Sequence, residues 1–97
     1  MLKIDWDLGK SRANQRKHGV TFEEAQTVFF DEDAIEFDDP QYYENETRFL
    51  IIGRSARLRI LVISYCYRKR QSVIRIISAR KATNKERIYY ISRGRLS

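Results

Sequence analysis

A single cysteine, a single histidine and a single proline in 97 residues shut off several kinds of chemistry at once. Cys66 has no partner for an internal disulfide, and it sits in a strand-like run where a small buried hydrophobe is its expected role. One Cys with one His does not assemble a zinc site. Pro40 and four glycines are too few to divide the chain with linkers, and no repeat or low-complexity tract is visible. No run approaches the roughly 18 apolar residues of a membrane span. Met1 to Lys10 lack the apolar stretch of a signal peptide, so the expectation is a cytoplasmic protein with no membrane partner. The length fits one compact domain over residues 1–97.

The largest shortage is of acid in the second half. Residues 54–97 hold one carboxylate, Glu86, beside thirteen Lys and Arg, whereas residues 1–53 hold twelve carboxylates beside six cations. Arginine outnumbers lysine ten to three in the basic half. A guanidinium presents a planar fork that matches phosphate bidentately and stacks on base faces, so this bias points to nucleic acid. The competing reading is a solvated basic face.

The apolar pattern gives the order β-α-α-β-β-β-β-α. Leu2 to Trp6 alternates as a short strand, Asp7 is placed to cap a helix from Leu8 to His18, and Gly19 ends it in the left-handed conformation. Thr21-Phe22-Glu23-Glu24 has capping-box spacing and opens a second helix from about 22 to 30. Ala34 to Asp38 alternates as a strand, and Arg48 to Arg54, Leu58 to Arg68 and Val73 to Ala79 are further β-rich runs that a meander of hairpins would join. Ile60-Leu61-Val62-Ile63 is apolar on both parities, which suits a central strand buried on both faces. Thr83 to Glu86 is another capping-box spacing and starts a final helix through about Ser92. The expected fold is a small α+β domain, an antiparallel sheet with helices packed on it.

Cleaving RNA without a metal takes a base for the ribose 2′-hydroxyl, cations for the charge on the phosphorane and an acid for the leaving oxygen. Arg48, Arg59, Arg68, Arg75 and Arg80 all fall in or beside expected strands, where several can share one sheet face. Parity restricts them. Arg68 shares a face with Ser64 and Cys66, while Arg59, Tyr65 and Tyr67 share the other, so both sets serve one site only if a bulge intervenes. Edge-strand gatekeeping against aggregation is the alternative role for any one of them. His18 is the sole imidazole and so an acid–base candidate, though a cationic His at a helix C-terminus also stabilises the helix dipole. Glu86 can orient Arg80 or Arg87, or complete a cap, and Tyr90 lies one turn further on, where it can stack on a base, although core packing is the expected fate of one of Tyr89 and Tyr90. Asp38, Asp39, Glu44 and Glu46 admit a magnesium nuclease, but they flank a proline turn without metal-binding spacing.

At Trp6-Asp7, Lys10, Asn14, Lys17-His18-Gly19-Val20 and Phe22-Glu23-Glu24-Ala25, the chain resembles the BrnT toxins of bacterial type II toxin–antitoxin systems. The resemblance continues through Glu46-Thr47-Arg48, Ile52-Gly53-Arg54-Ser55, the run Ile74 to Ala82, and Glu86-Arg87 with Tyr90. It implies a RelE-like, metal-independent endoribonuclease without a cofactor, which arrests growth by cutting RNA and is neutralised by a BrnA-type antitoxin. DNA contact would come only indirectly, through the antitoxin in an autorepressing complex. Carried over by position, His18, Arg48, Arg80 and Glu86 are the candidate catalytic residues, with Lys17, Arg68, Arg75, Arg87 and Tyr90 binding nucleic acid. The alternative is a non-catalytic nucleic-acid-binding module acting only within that complex. Two positions depart from the family pattern: Tyr42 stands where many relatives carry His, and Leu58 precedes Arg59 where a Gly-Arg pair is common.

Overall fold

The structure is a computed structural model and describes residues 3–40 and 46–95. Tyr42 and Glu44 lie outside the described residues, as does Leu2 at the expected start of the first strand. The elements run β1 (Lys3–Trp6), α1 (Leu8–His18), α2 (Phe22–Gln26) with a 3-10 turn (Thr27–Phe30), β2 (Ile35–Asp38), β3 (Arg48–Arg54), β4 (Ile60–Arg68), β5 (Val73–Lys81) and α3 (Asn84–Arg95). Among the described residues, no helix is long and apolar enough to cross a membrane.

Local chemistry sets the helix ends. The Asp7 carboxylate accepts from the Lys10 N–H at 2.9 Å, and Gly19, at φ 69°, donates its N–H to Gln15 as a left-handed C-terminal cap. The Thr21 hydroxyl accepts from the Glu24 N–H at 3.1 Å and starts α2. That helix is shorter than its pattern suggested, because the chain tightens into the 3-10 turn at Thr27, whose hydroxyl donates back to the Glu24 carbonyl at 2.6 Å.

The sheet order is β1-β5-β4-β3-β2, which places β4 in the middle, and Ile60 to Ile63 are buried as a strand covered on both faces must be. The expectation of an antiparallel sheet is corrected in one place. β1 pairs parallel with β5, Lys3 opposite Val73 through Trp6 opposite Ile76, so the sheet is mixed. Four residues of alternating pattern carry no information about which strand they will join or in which direction, and the helices between β1 and β2 supply the long connection that such a pairing needs.

The two faces are covered differently. On one, Val20, Phe22, Ala25 and Val28 of the helical segment pack against Ile51, Leu61, Ile63, Tyr65, Ile74 and Ile76. On the other, Tyr90 of α3 covers Ile52, Ile60 and Val62 at one end only. Gly53 sits where a β-carbon would come within 2.7 Å of Val28, so the close approach of β3 to the 3-10 turn requires a residue without a side chain.

Two polar networks fasten the helical layer. β1 stops opposite Ile76, so the next stretch of β5 has β4 on one side and no strand on its outer edge, where the Asn14 amide of α1 takes the place of one. It donates to the Ala79 carbonyl at 2.9 Å, accepts from the Ala79 N–H at 3.1 Å and donates to Val20 at 2.9 Å. The second network centres on the buried carboxylate of Glu24, which accepts from Ser55 Oγ at 2.7 Å and Arg59 Nε at 2.9 Å, with a further close contact to Arg59 Nη2. Arg59 thus belongs to the helical face, and its side-chain hydrogen bonds outweigh burial in holding the Glu24 pKa below the usual range.

Both long hairpins turn through left-handed residues that are not glycine. Leu58, at φ 65°, occupies the conformation that a Gly-Arg pair would enter without strain. Lys69, Arg70 and Gln71 follow one another at φ 49°, 57° and 70° in the β4–β5 turn, each at a cost of about 1–2 kcal/mol.

Candidate active site

The residues of interest are positioned by one irregularity. Arg75 and Arg80 are five apart, so strict alternation would send them to opposite faces. However, Ser64 pairs with Ser78 while Tyr65 pairs with Ile76, which leaves Ile77 as an extra residue in β5. This bulge puts Arg75, opposite Cys66, and Arg80, opposite Val62, on the same face. Arg48 also lies opposite Cys66, from the other side, and Arg68 shares its parity. Four arginines from three strands therefore lie on the α3 face, with Ser64 and Ser78 between the Arg80 row and the Arg48–Arg75 row. At about 3.4 Å per residue along β4, the two rows are about 14 Å apart.

Arg80 and Glu86 form the first group. Arg80 donates both terminal nitrogens to Glu86, at 2.7 and 2.9 Å, and Glu86 also accepts from the Thr83 N–H at 2.8 Å while Thr83 Oγ1 accepts from the Glu86 N–H at 3.2 Å. The capping box of α3 and the ion pair are thus one structure. Arg80, followed by the Thr83 N–H, pulls the Glu86 pKa down to about 2 against the opposing effect of burial. Arg80 is held protonated by the same bonds and stays 40% exposed.

Arg48, Arg68 and Arg75 form the second group. They surround a small cavity of about 70 Å³ together with Glu46 and with Lys10 from α1. Glu46 accepts from Arg48 Nε at 2.7 Å and from Arg68 Nη2 at 3.3 Å, and the Arg48 bond is the main reason that its pKa falls. Arg75 Nε lies 3.0 Å from Asp5 Oδ1, an ion pair off the hydrogen-bond axis, so its proton is not used there. Beneath them Cys66 is buried and free, and burial raises its pKa, which suits packing and not nucleophilic attack.

The remaining candidates are placed elsewhere. His18 is the half-buried last residue of α1, in the layer opposite α3. Lys17 is exposed on α1 and Arg87 on α3. Tyr90 is 4% exposed, so base stacking would require α3 to lift away. Its hydroxyl instead donates to Asp31 at 2.6 Å, and burial, followed by that bond, raises its pKa to about 12. Burial would raise the Asp31 pKa as well, but the Arg54 N–H at 2.7 Å and the Tyr90 hydroxyl overcome it and leave it lowered. Sequence reading missed Glu46 as a partner in the arginine group. Its place two residues before Arg48 was the available signal, since residues at i and i+2 of an extended segment point the same way.

Fold and face together define a small α+β domain whose sheet gathers Arg48, Arg68, Arg75 and Arg80 on one face, each held against a carboxylate. A family model described as the ribonuclease toxin BrnT of type II toxin–antitoxin systems matches residues 6–86. The chain belongs to that family of ribonuclease toxins. Among solved structures, the crystal structure of the Brucella abortus ribonuclease toxin BrnT is similar at a TM-score of 0.65 and 26% identity, covering 87% of this chain and 100% of that one. No curated protein matches. Membership in a ribonuclease family does not favour the non-catalytic binding module, and a type II system implies an antitoxin partner.

Proposed function

We propose that this chain is a metal-independent, RelE-like endoribonuclease that arrests growth in the cytoplasm until a BrnA-type antitoxin covers it. The observation that carries this reading is the gathering of Arg48, Arg68, Arg75 and Arg80 on one face of the sheet, which the β5 bulge makes common to Arg75 and Arg80. Such a row follows an RNA backbone, and a guanidinium fork stabilises the charge that builds on the non-bridging oxygens as the 2′-oxygen attacks phosphorus. Arg48, beside Glu46, takes that role, Arg68 and Arg75 hold neighbouring phosphates, and Arg80 grips the backbone further along, which fixes the scissile phosphate in place. Glu86 orients Arg80. Both of its oxygens are committed to Arg80, so we assign the 2′-hydroxyl proton to Glu46, whose second oxygen carries the longer bond from Arg68. The protonated Glu46 returns that proton to the 5′-oxygen as the P–O5′ bond breaks. DNA is reached only through the antitoxin.

The test is to incubate purified chain with structured RNA and a chelator, with Arg80→Ala as the contaminant control. Cyclic-phosphate ends from wild type alone, lost in Arg80→Ala and reduced at least tenfold in Glu46→Gln, are the expected result. Cleavage that survives Arg80→Ala unchanged, or that requires a divalent cation, overturns the reading.

A further inference from the structure

The end of the sheet beyond the arginine rows carries a second feature that the catalytic reading leaves unused. Where β4 runs into its turn, a cleft of about 400 Å³ opens beside Phe49 and Tyr67, with Arg68, Lys69, Arg70 and Gln71 around it. Its size falls in the range of small-ligand pockets. The two rings stand edge to face at 5.5 Å, and Tyr65 stands behind both at 5.7 and 5.8 Å, so the visible aromatic wall is backed by buried aromatic packing. Tyr65 is fully buried, whereas Phe49 and Tyr67 are only partly so. The rim holds three cations against the single carboxylate of Glu46, and Gln71 adds an amide able to donate and accept.

We propose that this cleft is the subsite for one unstacked nucleobase of the RNA substrate, with the ring of Tyr67 against the base, Gln71 on its edge, and Arg68 and Arg70 on the flanking phosphates. The proposal rests on the ribonuclease reading and adds to it the part of the substrate that is recognised. Single-stranded RNA is read by splaying a base onto an aromatic ring and bonding its polar edge, while adjacent cations neutralise the backbone. The cleft offers all three. Glu46 and Arg68 line both the cleft and the small arginine-lined cavity, so the chain of a base seated against Tyr67, on the helical face, passes round the end of the sheet at Arg68 towards the α3 face, where the proposed chemistry occurs. The turn also has a form that serves no shorter connection. Lys69, Arg70 and Gln71 keep left-handed φ values without a glycine, and the turn is closed by the Ser72 N–H and hydroxyl, both on the Lys69 carbonyl, at 3.2 and 2.8 Å. Residues with side chains stand where glycine would be less strained, and those side chains are what the cleft uses.

The experiment measures binding, so that it does not depend on turnover. Short single-stranded RNA made uncleavable by 2′-O-methylation and labelled at one end is titrated with wild type, Tyr67→Leu, Tyr67→Phe, Arg70→Ala and Gln71→Ala, at several salt concentrations. Thermal melting confirms that each variant is folded. Tyr67→Leu is expected to weaken binding about tenfold with an unchanged salt slope, and Tyr67→Phe to restore it. Arg70→Ala should weaken binding and lower the salt slope by about one, and Gln71→Ala should narrow the difference in affinity among the four bases. Should Tyr67→Leu and Gln71→Ala bind every oligonucleotide as wild type does, the cleft is no base subsite, even if Arg80→Ala abolishes cleavage and the ribonuclease reading stands. Loss of antitoxin binding with RNA binding intact would overturn the proposal in favour of a protein-docking surface.

Discussion

The helical face and the α3 face of the same sheet carry polar groups of different character. On the helical face Asn14 and Glu24 are buried and satisfied within the fold, the Glu24 side chain only 4% exposed. On the α3 face Arg80 and Arg68 are also paired, yet they stay 40% and 53% exposed. A buried polar group bonded in this way holds elements together, and removing its partner leaves a desolvated atom. A half-exposed arginine exchanges a carboxylate for a phosphate at little cost to the fold, because an exposed ion pair contributes at most about 1 kcal/mol. Exposure sets Arg68 and Arg80 apart from Asn14 and Glu24, whereas Arg48, at 24%, is as covered as Arg59 of the helical face, at 27%.

Substitutions can break or sharpen that contrast. Phe22→Ala, at the centre of the helical layer, is expected to destabilise by about 3–5 kcal/mol, read from the urea midpoint of unfolding. Asn14→Leu keeps the bulk but orphans the Ala79 N–H and carbonyl, for a loss of about 2–3 kcal/mol and faster hydrogen exchange along the outer edge of β5. If it cost less than 1 kcal/mol, water would be replacing the amide and the two faces would differ less than claimed. Arg80→Ala should cost no more than about 1 kcal/mol while lowering RNA cleavage by about a hundredfold or more, a separation that no residue of the helical layer should show.

The acid response sharpens the same contrast. Because the folded Glu86 pKa lies at about 2, below the ordinary 4.5, its pairing stabilises the fold fully above pH 4.5 and is lost as pH falls from there towards 2. With solvent screening the effect is below about 1 kcal/mol. The stability difference between wild type and Glu86→Gln should therefore be constant near neutrality, shrink below pH 4.5 and vanish only below about pH 2, as tested by unfolding midpoints across that range. The smallest effect is expected at the β3–β4 turn, where Leu58→Gly should stabilise by up to about 1 kcal/mol. The relief of left-handed strain there is partly offset by the greater freedom of glycine in the unfolded chain.

Sequence reading placed the scaffold better than the site. The caps at Asp7, Gly19 and Thr21 act over three or four residues, so their chemistry was visible in the chain itself. The double-sided apolar run at Ile60 to Ile63 identified the central strand for the same local reason. Parity on β4 correctly set Arg68 apart from Arg59, which proved to be held by Glu24 on the helical face. What parity could not supply was the bulge at Ile77, since an extra residue is defined only against its partner strand. The same limit applied to Tyr90. The pattern sends one of Tyr89 and Tyr90 to the core, and only the meeting of the Tyr90 hydroxyl with Asp31, 59 positions earlier, decides which.

The sequence by itself determined the charge asymmetry, the positions of the elements and membership in a ribonuclease toxin family, because these depend on composition, short-range periodicity and local motifs. Only the tertiary structure decided that β1 joins β5 in parallel, that Arg75 and Arg80 share a face and that Glu46 sits between two arginines. Each of these is a meeting of segments distant in the chain. It is fixed by strand register and by the burial of two apolar faces, which no single stretch of residues encodes.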